Sequence, residues 1–541
     1  MRQAPPFASL RSLLLVAWLV WAVGAKAEEP ARDEVIYFAR SGDTLIGLAK
    51  RMLVPPGDWR KLQALNDIRE SRRIPVGSAL RIPVAWLRAE PQAASVLAVQ
   101  GEAVRDGVRL EPGATLTQGA RVSTGPDGFV TILLADGSTL ILQPSSRLAL
   151  ARLARYPGPD VRDTRIELDT GRVDTSARRQ RPADRFEIRS LVAITAVRGT
   201  EFRTGYEGAQ SAHRTEVLEG AADMAGGGRE VLLDSGFGSV SDATGAPSPP
   251  KRLLPPPDLG NQPPLAERVV FRFRFNPVAG AAGYRGQVAA DREFHRVVAD
   301  AVFPGPEIKF AELPDGPYWL RARSIDSSGL EGDNAYHRFE LKARPEPPFP
   351  QSPSPGGKQS GARAEFGWTA AADAALYRLQ LARDSAFKDL VVEQSAMAAT
   401  RAIVENVSPG AYHWRLASER ANGERGPWGD AQAYTQKPAP ANPEPPAIDK
   451  NHVSFAWSGE PGQRFRVQLA RDTRFDYTIA EFTSDEPMMT LPKPDPGVYF
   501  VRVQATDPDG YVGPYTAAQR FEILPVPPSP WLLLLLLVPL L

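Results

Sequence analysis

Cysteine is absent from this 541-residue chain, and its absence excludes several kinds of chemistry. Disulfide bonds cannot form, so each domain depends on its own hydrophobic core. Thiol nucleophiles and cysteine-based metal sites are excluded as well. Histidine is rare, and no two histidines have the spacing of zinc ligands, so we expect neither a metal site nor another cofactor. The histidines are His213, His295, His337, His413 and His452.

An excess of charge of one sign is also lacking, because 64 Lys and Arg residues balance 63 Asp and Glu residues. Arginine is locally dense between Arg147 and Arg203, but acidic residues are interspersed there and aromatic residues are few. Nucleic-acid binding needs a basic face with stacking aromatics. We therefore predict no nucleic-acid partner and interpret this stretch as a solvated, mixed-charge sheet face. Contact with anionic wall or lipid polymers is an alternative.

Familiar catalytic motifs are missing. Neither a G-x-S-x-G nucleophile elbow nor a Walker loop occurs. A carboxylate pair for glycoside hydrolysis has no sequence signature, since any two acids about 5–9 Å apart would serve. No region outside the modules described below is large enough for a further catalytic domain. We therefore expect a non-enzymatic protein.

The first 27 residues are typical of an export signal. A short basic region with Arg2 and Arg11 precedes an apolar stretch, residues 13–23. The sequence Ala25-Lys26-Ala27 then places small residues before a cleavage point after Ala27. The pattern predicts a signal peptide over residues 1–27 and a protein that works in the periplasm or cell envelope of a Gram-negative bacterium.

Residues 34–84 are predicted to form a compact β-α-α-β unit. Residues 35–38 suit a strand, and apolar residues at helical spacing follow the turn at 41–44. A second short helix is expected from Trp59 and a closing strand over residues 80–83. The unit resembles the LysM domain family. The residues that carry the resemblance are Tyr37, Gly42, Asp43, Thr44, Leu45, Leu48, Ala49, Trp59, Leu62, Asn66, Ile74, Gly77, Leu80, Ile82 and Pro83.

The resemblance implies binding of N-acetylglucosamine polymers such as peptidoglycan and chitin. The family places its sugar groove between the first strand–helix turn and the second helix–strand loop. The alternative is structural, because Asp43 or Thr44 can cap a helix and Asn66 can close a turn. Both roles are compatible, since backbone groups form most of the groove. The implied contact residues are Gly42, Asp43, Thr44, Leu45, Asn66, Asp67 and Ile68.

Residues 95–243 are predicted to form a β-rich domain. Partly alternating runs such as 129–134 and 165–168 are typical of strands with one buried face. The strings at 196–203 and 215–220 resemble the signature of the FecR-type domain. In its namesake, that domain is the periplasmic part of a transmembrane regulator of a sigma factor. Here a leader and a LysM-like unit precede it, so we expect an exported module for protein or envelope contact.

The second half of the chain is an internal repeat. The element Gln380-Leu381-Ala382-Arg383-Asp384 recurs almost unchanged at residues 468–472 and more distantly at 287–291. Units of about ninety residues with short alternating strands predict β-sandwiches, and they resemble fibronectin type III domains. We expect the copies at residues 265–343, 362–436 and 448–524, separated by semi-rigid proline-rich spacers. The spacers are residues 247–264, 345–355 and 438–446.

Two residue types in the repeats have a predicted role. Asp291, Asp384 and Asp472 are expected to cap a turn at the end of a strand. Tryptophans are expected to anchor the sandwich cores. An aromatic sugar-binding platform is the alternative for Trp319, Trp414 and Trp428.

Residues 528–541 form a short apolar tail. The eleven residues from Trp531 would span ~16 Å as a helix, against ~30 Å of hydrocarbon, so they cannot cross a bilayer alone. Contact with one membrane face is an interpretation that the sequence leaves open.

These observations predict a mainly β multidomain protein with a small β-α-α-β LysM unit, a β-rich FecR-type domain and three β-sandwich repeats in an extended string. The function they favour is a non-enzymatic envelope protein that binds peptidoglycan, or another N-acetylglucosamine polymer. Its β-modules would serve as a scaffold or docking platform for an envelope protein partner. The alternatives are an envelope sensor acting through the FecR-type domain and a peptidoglycan-acting glycan hydrolase.

Overall fold

The computed structural model of the protein describes residues 34–54, 58–181, 183–197, 199, 201–208 and 212–525. The predicted signal peptide and the apolar tail at 528–541 lie outside these residues. Across the described residues the chain is mainly β, and both α-helices lie in the N-terminal unit, as the sequence predicts. Among the helices described, none has the length and apolar character needed to cross a membrane.

The N-terminal unit folds as β-α-α-β. Its elements are β1 (Glu34–Phe38), α1 (Leu45–Met52), α2 (Trp59–Leu65), β2 (Ala79–Pro83) and a 3₁₀ helix (Val84–Trp86). The strands pair antiparallel, with Val35 opposite Ile82. The helix α1 buries Leu45, Leu48 and Met52, because their spacing puts them on one face, and Leu62 of α2 completes this core.

The N-terminal unit packs directly on the domain that follows. Tyr156 and Val161 of that domain belong to the same buried cluster as Met52 and Leu87. A side chain on Gly158 would collide with Met52, so the contact requires glycine there. Trp86 and Leu87, at the start of the connection between the two domains, pack in this interface, whereas residues 88–91 are exposed.

Residues 90–252 form a closed barrel with a single large apolar core. The sixteen-residue strand β12 is long enough to pair with β11 and β13 through its first half and with β10 and β15 through its second half. The strands are β3 (Glu90–Pro91), β4 (Ala93–Gln100), β5 (Ala103–Arg105), β6 (Val108–Arg109), β7 (Thr115–Thr117), β8 (Arg121–Thr124), β9 (Phe129–Leu133), β10 (Thr139–Leu142), β11 (Arg147–Tyr156), β12 (Val161–Ser176), β13 (Arg185–Arg189), β14 (Ile194–Val197), β15 (Glu201–Glu207), β16 (Ala212–Glu219), β17 (Ala221–Gly226), β18 (Arg229–Asp234), β19 (Phe237–Ser241) and β20 (Lys251–Arg252).

Three β-sandwiches follow, each with its own core. Trp368 and Trp457 are buried in the second and third cores, and Phe275 packs against the first. The first repeat contains β21 (Leu265–Ala266), β22 (Phe271–Arg274), β23 (Ala281–Ala289), β24 (Val297–Phe303), β25 (Glu307–Phe310), β26 (Gly316–Asp326) and β27 (Ala335–Leu341). The second contains β28 (Pro350–Ser352), β29 (Gly357–Ser360), β30 (Ala364–Trp368), β31 (Leu376–Ala382), β32 (Leu390–Met397), β33 (Arg401–Val404), β34 (Gly410–Glu419), β35 (Arg425–Trp428) and β36 (Gln432–Lys437). The third contains β37 (Ala447–Ile448), β38 (His452–Ala456), β39 (Arg464–Ala470), β40 (Thr478–Ser484), β41 (Met488–Pro492), β42 (Gly497–Thr506), β43 (Val512–Tyr515) and β44 (Gln519–Ile523).

The recurring aspartates cap turns, as predicted. The carboxylate of Asp384 accepts hydrogen bonds from the backbone N–H groups of Ala386, Lys388 and Asp389. Asp291 and Asp472 accept equivalent backbone bonds in the other two repeats. These bonds stabilise the turns that follow β23, β31 and β39.

The recurring tyrosines close a second turn. The hydroxyl of each donates to the carbonyl oxygen four residues earlier, at 2.7 to 2.9 Å. The same backward bond is known from the tyrosine corner of sandwich domains. The three tyrosines are Tyr318, Tyr412 and Tyr499.

At each of three junctions, a lysine at or just after the last strand of one module forms an ion pair with a carboxylate of the next module. Lys342, which follows the last strand of the first repeat, pairs with Glu424 of the second. Lys437 holds the same position in the second repeat and pairs with Asp507 of the third at 3.0 Å. At the barrel–repeat junction Lys251 pairs with Asp326 at 2.5 Å. Because each bond joins neighbouring modules, the junctions have defined contacts.

Candidate functional site

The first of the two predicted contact loops, residues 42–45, forms the N-terminus of helix α1. Thr44 is the N-cap of α1, and its Oγ1 accepts a hydrogen bond from Gly47 N at 3.1 Å. Leu45 is fully buried and anchors the loop. Gly42 has a φ of +85° with open space around it, so the backbone of this turn, rather than a crowded neighbour, requires glycine.

The carboxylate of Asp43 is occupied within the domain. It accepts hydrogen bonds from Tyr37 Oη at 2.7 Å, Arg40 N at 2.8 Å and Arg51 Nη2 at 3.0 Å. Partial burial favours the neutral acid, but the three donors outweigh it and hold the pKa of Asp43 below its usual value. Asp43 therefore fixes the shape of the turn, and the predicted capping role belongs to Thr44 rather than to Asp43.

The second predicted loop is held by Asn66. Its Nδ2 donates to Leu62 O at 3.0 Å and to Arg81 O at 2.8 Å, and its Oδ1 accepts from Arg81 N at 2.6 Å. Asn66 thus joins the end of α2 to β2. Asp67 follows with a φ of 49° and an exposed side chain, and Ile68 is half-buried against the core.

The fold brings the two loops to one edge of the unit. Leu45 N donates to Ser71 O at 3.0 Å, which ties the helix start to the segment after Asp67. The side chains of Asp43 and Asn66 point into internal hydrogen bonds, so the edge offers mainly backbone groups, together with the exposed side chains of Ser41 and Asp67. Such an edge suits a polymer rich in hydroxyl and amide groups.

Three arginines at this edge were not among the predicted contact residues. Arg69, Arg72 and Arg73 are exposed, and no ion pair of theirs occurs among the residues described. The run Arg-Glu-Ser-Arg-Arg at residues 69–73 is the sequence feature from which these contact residues could have been predicted. They outnumber the exposed acids of the same segment, Asp67 and Glu70, and the remaining positive charge favours a ligand that carries carboxylates.

A second cluster of functional groups lies between the barrel and the first sandwich. Asp174 of the barrel accepts from Arg321 Nη2 at 3.1 Å and from Arg323 Nη2 at 2.7 Å. Gln287 Nε2 donates to Gln143 Oε1 at 2.7 Å. Burial opposes the charge of Asp174, but Arg323 and Arg321 prevail and lower its pKa. This ion network crosses the domain boundary and lines a cavity of about 210 Å³, into which Asp174 is 13% exposed.

Arg203 lies at the centre of the same cluster and corrects one prediction. The sequence interpretation places the arginine-rich stretch on a solvated face, yet Arg203 is buried and donates to Glu331 O at 2.6 Å and Gly332 O at 2.9 Å. Its Nε pairs with Glu216 at 3.2 Å. The sandwich covers this part of the sheet, which no local pattern reveals.

Glu216 and Glu331 meet within this cluster, and their environments differ. Glu331 accepts from Arg285 Nε at 2.6 Å and Arg323 Nη1 at 2.7 Å, whereas Glu216 has only Arg203 and one backbone N–H. Burial raises the pKa of Glu216 to about 7. Burial also opposes ionisation of Glu331, but Arg285 and Arg323 lower its pKa below the usual range. Glu331 thus carries the charge of the pair.

The first repeat differs from the others where it meets the barrel. In the second repeat Arg415 stacks between Phe387 and Trp428, at 3.9 and 4.8 Å from the ring centroids. In the first repeat Asn334 occupies the position of Trp428 and accepts from Arg323 at 2.7 Å. Because no aromatic ring occupies this position in the first repeat, Arg321 and Arg323 can pair with Asp174 of the barrel.

The sugar-platform alternative fails for Trp414. Its side chain is fully buried in the second core, which bears out the core interpretation. Trp319 and Trp428 are half-buried, and each has a guanidinium over its ring, from Arg292 and Arg378 respectively. The guanidinium carbons lie 5.8 Å from the Trp319 centroid and 4.6 Å from the Trp428 centroid, so each ring already has a cation partner within the chain.

One serine–histidine contact resembles a catalytic pair. Ser190 Oγ lies 2.8 Å from His213 Nδ1, and Thr195 Oγ1 lies 3.0 Å from His213 Nε2. Burial lowers the pKa of His213 to about 3, so the ring is too weak a base to activate a hydroxyl at neutral pH. The contact is part of the barrel's polar packing. Across the described residues, no three metal-ligating side chains lie together.

Two family models match parts of this chain. Residues 39–83 match the LysM domain, and residues 120–223 match the FecR protein family. A comparison with curated proteins gives no match.

Several solved structures are similar to the chain at low identity. One is a Parabacteroides distasonis protein proposed to be an anti-sigma factor, with 16% identity and a TM-score of 0.21, and the match covers 24% of this chain and 59% of that one. Others are the FN1–FN3 domains of chicken CNTN1 (13% identity, TM-score 0.22, 50% of this chain and 100% of that one) and the fibronectin(III)-like modules of Clostridium thermocellum CbhA (13%, 0.21, 32% and 93%). From the family matches and the fold, the chain carries a LysM domain and a FecR domain, followed by three β-sandwich repeats.

Proposed function

We propose that this protein is a non-enzymatic component of the bacterial envelope that holds peptidoglycan through its LysM domain and presents its β-modules as a docking platform. The observation that carries the proposal is the free edge of the LysM domain. The match of residues 39–83 to the LysM domain supports glycan binding, and the contact with the barrel lies away from that edge.

The position of α1 explains why the edge is open. Its C-terminal residue Met52 packs on the barrel, whereas its N-cap Thr44 belongs to the candidate site. The eight-residue helix separates these ends by about 12 Å. The LysM domain therefore packs on the barrel through the end of α1 opposite the proposed glycan site.

The chemistry of the edge supports a peptidoglycan ligand. Backbone groups around Gly42 and Asp67 would bind the hydroxyl and N-acetyl groups of the glycan. The exposed guanidinium groups of Arg69, Arg72 and Arg73 would attract the carboxylates of the stem peptides. Chitin, which lacks these carboxylates, would then bind more weakly than peptidoglycan.

Retention on purified sacculi tests the proposal. Ser41 is exposed beside Gly42, and Ser41→Trp would cover the edge without removing an internal hydrogen bond. We expect at least a tenfold loss of affinity, equivalent to about 1.4 kcal/mol. The matched control is Ser385→Trp, an exposed turn position in the second repeat. Equal retention of the two variants would refute glycan binding at this edge.

A sensor role for the FecR domain is a second candidate, supported by the family match at residues 120–223. It requires one specific membrane partner. Cross-linking in living cells through exposed barrel positions such as Arg109 and Leu191 separates the two functions. Recovery of a single regulator favours signalling, whereas recovery of wall material alone favours the platform.

A further inference from the structure

Each sandwich has a groove on its side that faces the preceding spacer, centred on an equivalent glycine. The glycines are Gly332, Gly426 and Gly513, and we call the surrounding surface the junction groove. In the first repeat the spacer lies in this groove. Asp333 N donates to Leu254 O at 2.9 Å, and Ser324 Oγ donates to Pro255 O at 3.2 Å. A side chain on Gly332 would collide with Leu254 O.

The second repeat repeats this arrangement. Ser418, which corresponds to Ser324, donates to Glu346 O at 2.6 Å. A side chain on Gly426 would collide with Pro345 O, and Gly429 is close to the ring of Pro347. In both repeats the groove therefore holds an extended, proline-containing segment of the chain itself.

The third junction groove is vacant in the described structure. A Cβ on Gly513 would find only Ala505 O at 3.4 Å and the ring of Tyr511 at 4.0 Å, with no spacer atom within 4 Å. A cavity of about 360 Å³ occupies the place of the spacer, with Trp457, Phe465 and Pro514 among its lining residues. Ala505 replaces the serine of the other two grooves, so this groove is also more apolar.

The length of the spacer explains the vacancy. Between the first two repeats, Ser352 pairs with Gly367 and lies ten positions after the junction residue Lys342 (352 − 342). Between the last two, Glu444 N bonds to Ala456 O, the equivalent of Gly367, only seven positions after Lys437 (444 − 437). The spacer before the third repeat is three residues shorter and does not enter the groove. Its residues 438–441 line one side of the cavity instead.

We propose that the third junction groove binds residues 524–530 of a second copy of this chain. Their sequence is Leu-Pro-Val-Pro-Pro-Ser-Pro, which is neutral, apolar and rich in proline. They follow the last strand of the third repeat as residues 342–348 follow that of the first, and residues 345–347 occupy the second groove. A polyproline II segment docks on an aromatic-lined groove with little loss of conformational entropy.

The segment cannot reach the groove of its own repeat. Ile523 pairs with Gly497 at one end of β42, whereas the groove lies near Ala505, eight residues further along that strand, about 26 Å away at the rise of a strand. The seven residues 524–530 span about 22 Å as polyproline II. Exchange of the segments between two copies would satisfy both grooves and produce a two-fold dimer.

The first experiment measures binding of a labelled peptide to the full-length chain. The probe is a fluorescein-labelled peptide of residues 524–530, and its anisotropy is followed during titration with the protein. We expect saturable binding, and at least a tenfold weaker affinity for the peptide whose prolines are replaced by alanine. Gly513→Val should abolish binding, because its side chain fills the groove while meeting only ordinary contacts. Gly305→Val, at an open position, is the control.

The second experiment identifies the source of the segment. Replacement of Tyr511 by p-benzoylphenylalanine in the full-length chain places a photo-cross-linker beside the groove. A covalent dimer whose cross-link maps to residues 524–530 supports the proposal. No binding of the peptide at 1 mM would overturn it, and so would a cross-link that maps only to another protein. Retention on sacculi is a separate readout, since the groove is not part of the LysM domain.

Discussion

The ion network between the FecR domain and the first sandwich makes a strong prediction for Asp174→Asn. The substitution keeps the size of the side chain but removes the carboxylate that pairs with Arg321. Arg321 then keeps its hydrogen bonds to Gln287, whereas Arg323 keeps its ion pair with Glu331. Both guanidinium groups are at most 5% exposed, and Asp174 itself is 13% exposed. Removal of one partner from a buried ion pair typically costs about 3–5 kcal/mol, because the remaining charge is left without a counter-ion.

Hydrogen exchange measured by mass spectrometry reports this cost locally. A loss of 3–5 kcal/mol corresponds to exchange about 10²–10³-fold faster in segments protected by the contact, such as residues 330–334. Global melting is a poorer measure, since a multidomain chain does not unfold in one step.

Asp485→Asn is the matched control for this experiment. Asp485 pairs with Arg464 at 3.1 Å, but both side chains are more than three-quarters exposed, so the expected change is under ~1 kcal/mol. If Asp174→Asn accelerated exchange no more than Asp485→Asn does, the network would contribute nothing to the domain contact, and the reasoning would be wrong.

Three further predictions concern Glu216, Trp414 and the junction glycines. The folded-state pKa of Glu216 is raised, so the native state binds its proton more tightly and loses stability as pH rises from 4.5 to about 7. Glu216→Gln should therefore match the parent at pH 4.5 and exceed its local opening free energy by about 3 kcal/mol at pH 8, in hydrogen exchange of residues 330–334 compared with the parent at each pH; a difference independent of pH would contradict this. Trp414→Ala should destabilise the second repeat by about 3–5 kcal/mol without weakening sacculus binding, whereas a sugar platform would lose binding instead. Gly426→Ala should expose the spacer at Pro345 to protease and Gly513→Ala should not, because only the former collides with it.

Local patterns in the sequence were sufficient for much of the LysM domain. The capping role of Thr44 and the buried face of α1 follow from residue type and helical spacing alone. A structural role for Asp43 and Asn66 was the stated alternative to glycan contact, but their partners Tyr37, Arg51 and Arg81 were not predicted. What the local pattern did not supply is the contact between the two loops, because Leu45 and Ser71 are distant in sequence.

In the repeats, too, contacts within a few residues followed from the sequence pattern, whereas contacts between domains did not. Their recurring aspartates and tyrosines make the contacts expected of a sandwich, since those contacts lie within a few residues. The interpretation of Arg203 was wrong for a different reason. A charged residue on an amphipathic strand looks solvent-facing, and only the docking of Glu331 from another domain explains its burial.

The sequence by itself determined the two recognisable families and the presence of the β-sandwich repeats that follow them. These depend on short-range spacing, which a single chain displays directly. Tertiary structure alone decided which faces are covered: the sandwich that buries the arginines of the barrel, the barrel that holds one end of the LysM domain, and the short spacer that leaves the third junction groove empty. The two contacts with the barrel join residues more than a hundred positions apart, and their energy comes from complementary surfaces that no local pattern encodes.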